Sequence, residues 1–156
     1  MCRPISSFLL FLALLTMVNL ATAESRYEQI EVYRLETTKP FYEVVADAEF
    51  AISEQNFTLT NRSEIGEAIG RLYAEKFPEV TALQFCNLEL AREILSVVPE
   101  FSLHMPCKIV IYQLADKVIV ETQLPTAKLG SSALNKETDD IKEKIRKIVD
   151  FASTEH

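Results

Sequence analysis

Two runs rich in β-branched residues, CKIVIYQL (107–114) and KVIVETQL (117–124), stand only two residues apart. Ala115 and Asp116 leave room between them for a tight turn and nothing longer. Strands joined this way are antiparallel, because a parallel pair needs a crossover of a dozen or more residues. An all-helical fold and a purely parallel sheet are thereby excluded. Every other segment has to be fitted around that hairpin.

Upstream, YEQIEVYRLETT alternates Ile30, Val32 and Leu35 with charged residues and predicts a first strand whose register slips near its end. Thr38, Lys39 and Pro40 then start an amphipathic helix over about 40–55, with Phe41, Val44, Val45, Ala48 and Ile52 at helical spacing. NFTLTN reads as a short strand. Ser63 is a candidate N-cap for a helix that places Ile65, Ile69, Leu72 and Tyr73 on one face, although Gly66 and Gly70 weaken it. Glu79 to Phe85 is strand-like and Cys86 closes it. Asn87 is placed to cap a helix carrying Leu90, Ala91, Ile94, Leu95 and Val98, which Pro99 ends. The last helix starts at Asn135, spans 136–153, and bears Ile141, Ile145, Ile148, Val149 and Ala152 on one stripe. Strands and helices in this order around a hairpin predict an α+β fold, a mainly antiparallel sheet with helices packed on one face.

The N-terminus carries a different message. Arg3, the apolar run SSFLLFLALLTMVNL and the small residues Ala21 to Ala23 have the three-part layout of a secretory signal peptide, with cleavage before Glu24. The rival reading is a retained anchor, since the run is almost long enough to span a bilayer. With cleavage, residues 24–156 form a single domain, periplasmic or secreted, with no stable membrane span. The chain has 23 acidic against 16 basic residues and a net charge of −7, and losing Arg3 makes it more acidic still. Such a surface repels phosphate backbones, so nucleic acid is excluded as a partner. No serine-nucleophile elbow, glycine-rich phosphate loop or paired-histidine metal helix occurs, so no catalytic residue and no cofactor is assigned.

One stretch remains chemically suggestive. HMPC (104–107) places a histidine, a methionine and a cysteine within four residues, and FCN places Cys86 and Asn87 at a strand-to-helix junction. FCNLELA followed by VVPEFSLHMPCKIVIY resembles the core signature of the domain-of-unknown-function family 302, through Cys86, Asn87, Ala91, Pro99, Met105, Pro106 and Cys107. FYEVVADAEFAISEQNFTL resembles the opening of the same family, so the likeness runs over about 41–124. The resemblance implies a compact α+β fold of TATA-binding-protein-like layout and a tendency to form homodimers. It implies no activity.

Cys86 and Cys107 are the cysteines left after cleavage, and four roles stand open for them. A thiol at a helix N-terminus, as at Cys86, is favoured as thiolate by the helix dipole, whereas a buried one is an inert small hydrophobe. A disulfide depends on strand direction. Parallel neighbours would hold the cysteines roughly 17–20 Å apart at ~3.3 Å per residue, beyond bridging distance. Antiparallel neighbours, favoured by the hairpin and by the resemblance, put both at one end of the sheet. Metal ligation by Cys86, His104 and Cys107, with Met105 as a soft fourth ligand, is a weaker alternative. The leading expectation is a module that binds a small ligand or a partner where Asn87, the following helix N-terminus and HMPC converge, using Cys86, Asn87, His104, Met105 and Cys107. A thiol- or metal-dependent protein is the alternative. A subunit of a larger envelope assembly is a third, and it requires an exposed apolar face on the last helix.

Overall fold

The computed structural model describes residues 31–125 and 132–155; the segment read as a signal peptide and the first residues of the predicted first strand lie outside them. The described elements are β1 (Glu31–Thr37), α1 (Phe41–Glu54), β2 (Thr58–Glu64), α2 (Ile65–Tyr73), β3 (Val80–Cys86), α3 (Leu88–Val97), a 3₁₀ turn (Pro99–His104), β4 (Cys107–Leu114), β5 (Lys117–Leu124) and α4 (Ser132–Ser153). The strands form one sheet in the order β1-β5-β4-β3-β2, and every neighbouring pair is antiparallel. The α+β class expected from the hairpin is the class observed. Leu114 pairs with Lys117, leaving Ala115 and Asp116 as the turn. Ala115 takes the left-handed conformation, φ 56°, that two-residue hairpin turns demand.

Strand alternation makes one face apolar. Leu83 and Phe85 from β3, Ile109 and Ile111 from β4, and Val118 and Val120 from β5 all point to it and are buried. Onto this face pack Val44, Val45, Ala48 and Ile52 of α1 and Ile145, Ile148, Val149 and Ala152 of α4. Each fully buried side chain of this kind stabilises the fold by roughly 1.5–3 kcal/mol. The opposite face holds Arg34, Glu36, Lys117 and Glu121, linked by ion pairs such as Lys117–Glu36 at 2.7 Å. No helix among the described residues is long and apolar enough to cross a membrane.

Four expectations need correction. The register of β1 does not slip: Glu31 to Thr37 pair without a break with Leu124 to Val118. Tyr33, Leu35 and Thr37 face inward and Val32 outward, because Tyr33 keeps its ring on the core while its hydroxyl donates to Asp150 at 2.6 Å. Ser63 is no helix cap. It lies in β2 opposite Ala82, its hydroxyl accepting from Asn61 at 2.9 Å, and Glu64 precedes the helix instead.

The apolar stripe read on α2 is not its buried face either; Leu72 and Tyr73 are 74% and 67% exposed. The helix docks through its glycines, with Gly66 against the backbone of Pro78 to Val80. Lastly, α4 begins at Ser132, three residues ahead of Asn135. Ile145, Ile148, Val149 and Ala152 of its stripe are fully buried and Ile141 partly so, and among the described side chains the helix does not show the exposed apolar face that an envelope-assembly role requires.

Candidate functional site

β3 ends and β4 begins at the same end of the sheet, and there HMPC meets the start of α3. The Asn87 side chain caps α3, accepting from the Leu90 N–H at 3.0 Å, as its position before an apolar helical run requires. The 3₁₀ turn then packs Phe101 inward, with the His104 ring 5.2 Å from it. The Met105–Pro106 peptide is cis and delivers the chain into β4.

This segment separates two spaces. Inward lies a void of about 30 Å³ bordered by Cys86, Asn87, His104, Met105 and Cys107 together with apolar side chains such as Ile94 and Phe101. That volume is about one water's share of the liquid. Outward lies an open groove of about 320 Å³, bordered by Leu103 to Lys108, Gln84, Gln123, Leu124 and Pro125. His104, Met105 and Cys107 border both spaces, whereas Cys86 and Asn87 border only the inner one. The space that all five predicted residues border is therefore small, although His104 is exposed and the other four are half-buried, and the larger room for a ligand is on its other side.

Gln84, Lys108 and Gln123 were missed by the sequence reading. They form one row on the side of three adjacent strands that faces away from the core under α1 and α4: Gln84 pairs with Lys108, and one further step of the β4–β5 register sets Lys108 opposite Gln123. Alternation marks each as facing away from the core, but only the register shows that they align.

The structure bears on the roles left open for the cysteines. β3 and β4 are antiparallel neighbours, as the bridge required, yet both cysteines are free thiols. Cys107 stands opposite Phe85, so Cys86 lies one position out of register with it. Nor is Cys86 a stabilised thiolate: burial pushes its thiol up, while the N–H of Leu90 at the start of α3 is already taken by Asn87. Burial, and then the neighbouring Cys86, push Cys107 up to about 12. Among the described residues no three His, Cys, Asp or Glu side chains come together as metal ligands, so Cys86, His104 and Cys107 do not form a metal set.

Both thiols are expected to alkylate with iodoacetamide at pH 7 far more slowly than in the urea-unfolded chain, Cys107 the slower; labelling at the unfolded rate would contradict the burial described. The linkage has a definite sign. Below about pH 9 folded and unfolded chains both hold the Cys107 proton, and between about 9 and 12 only the unfolded chain releases it, so stability falls across that window.

A search of curated proteins finds no relative of this chain. Among solved structures, the uncharacterized conserved protein DUF302 from Bacillus stearothermophilus is similar, with a TM-score of 0.67 and 20% sequence identity; the match covers 79% of this chain and 98% of that one. At that identity the likeness speaks for the fold. The family model described as domain of unknown function DUF302 matches residues 33–152. It reaches further than the 41–124 stretch marked by the cysteine motifs, taking in most of β1 and nearly all of α4. With most of its length matched, the chain belongs to the DUF302 family.

Proposed function

We propose that the protein is an exported module that binds a small ligand in the groove between the HMPC segment and the outward-facing row Gln84, Lys108 and Gln123 of the sheet. The groove carries the reading: about 320 Å³ lies at the lower end of the range for small-molecule sites. Its lining mixes apolar surface from Met105, Pro106, Leu124 and Pro125 with polar groups from Gln84, His104, Lys108 and Gln123. A few polar groups set in apolar walls are what fix a small molecule's orientation. Export is supported by the signal-peptide layout of residues 1–23.

A second hollow, about 610 Å³, lies beside Thr38, Lys39, Glu43, Asp47 and Glu155. It is broader and more open, and its one cation, Lys39, is consumed by internal bonds. The smaller groove is the better site for that reason.

The test is a small-molecule fragment screen read by amide chemical shifts. Binders are expected to move resonances of Gln84, Met105 to Lys108 and Gln123. Gln123→Trp, an exposed change that places an indole in the groove, is expected to abolish the shifts while leaving the folded spectrum intact. Fragments that map elsewhere, or that bind Gln123→Trp unchanged, would sink the proposal.

A further inference from the structure

We infer that the groove takes a small carboxylate with an apolar body, an inference that rests on the binding role proposed above. None of the groove's lining residues is acidic, on a chain that carries 23 acidic and 16 basic residues. An anion is repelled by most of this surface and meets no carboxylate here. Lys108 lines the groove and is exposed, and its ammonium has no ion-pair partner among the described residues. The residues opposite it on either side are amides, Gln84 and Gln123, whose N–H₂ groups add donors without adding charge.

Neighbouring strands are about 4.8 Å apart, so the three side chains spring from backbone positions spanning roughly 10 Å. They can converge on one two-oxygen headgroup. Next to this polar row stand Met105, Pro106 and Pro125, which offer an apolar wall for a short hydrocarbon tail. A cationic ligand would face Lys108 with nothing to offset the repulsion. A neutral one would forgo the charge-assisted bonds that a carboxylate accepts from the lysine.

Hexanoate, hexanamide and hexylamine share a tail and differ at the head, so titrating each into the purified protein under amide-shift detection separates the cases. Hexanoate is expected to bind in the groove about tenfold or more tightly than hexanamide, and hexylamine weakest. Lys108→Gln is expected to weaken hexanoate by a similar factor and leave hexanamide unchanged. Rising salt is expected to weaken hexanoate alone, since Lys108 is exposed. Hexanamide binding in the groove as well as hexanoate, or Lys108→Gln leaving hexanoate unaffected, would overturn the carboxylate inference while the groove remains a binding site. Preference for hexylamine would overturn it as well. Shifts absent from the groove with all three probes would overturn the inference and the binding role together.

Discussion

Replacing Lys39 by methionine is expected to destabilise the fold by about 3 kcal/mol. The sequence places this lysine in a polar stretch before a helix, where a solvated side chain is the ordinary outcome. In the structure only 8% of it is exposed. Its ammonium donates to Asp47 of α1, to the Ala152 carbonyl at 3.2 Å and to the Thr154 carbonyl at 2.9 Å. The last carbonyls of a helix have no partners within it and carry the negative end of its dipole, so a cation there both satisfies and attracts them. Lys39 thus fastens the C-terminal end of α4 to the junction of β1 and α1.

Methionine keeps the length and apolar stem but removes all three donors and the charge. Two carbonyls then lose their partner and Asp47 loses its counter-ion. Asp47 is partly exposed, so water recovers some of its share; Asp47→Asn is expected to cost less, about 1 kcal/mol. Urea unfolding followed by circular dichroism measures both. A drop in the midpoint at unchanged slope is the expected form for Lys39→Met. A change below about 1 kcal/mol would show that the buried bonds carry little net stability.

Gly66→Ala is the second large effect, at about 3 kcal/mol. A Cβ at this position would stand 2.3 Å from the Pro78 carbonyl oxygen and 2.7 Å from the Val80 nitrogen. Both are backbone atoms, and Val80 is the first residue of β3, a strand hydrogen-bonded on both sides. Neither can move aside as a flexible side chain would, so α2 has to lift from the sheet. By helix propensity alone, alanine for glycine would stabilise by up to about 1 kcal/mol. The two arguments have opposite signs, which makes the measurement decisive. A Gly66→Ala protein as stable as its parent would mean that α2 shifts without cost. Gly70→Ala, whose added Cβ would lie 3.0 Å from the Glu75 carbonyl oxygen, is expected to cost less.

These positions show where sequence reading succeeds and where it stops. The hairpin was legible because a two-residue gap between β-branched runs has one geometric solution. α1, α3 and α4 were legible because their apolar stripes have the helical period and all pack against the interior. α2 broke the rule: its stripe of Ile65, Leu72 and Tyr73 is largely exposed, and its contact with β3 is made through backbone at glycine, which leaves no hydrophobic signal.

The candidate site divides in the same way. His104, Met105 and Cys107 stood out by residue type, and all three border the groove. Gln84, Lys108 and Gln123 did not, since an outward-facing polar residue on a strand has the same appearance whether it lines a groove or open water. Their alignment depends on registers between strands distant in sequence. The roles of the cysteines stayed open in the sequence because proximity to a helix N-terminus is visible there, while the burial that outweighs it is not.

The strand order carries a consequence for the timing of folding. The edge strand β1, first of the described strands, pairs only with β5, the last of them, and α4 covers the same core from the end of the chain. Nothing made early in synthesis can complete the sheet. β1 has to wait, unpaired, for almost the whole polypeptide to emerge, and pairing over such a separation is slow because a long loop is closed before any contact rewards it. A chain built this way reaches its stable form only after its last helix is free.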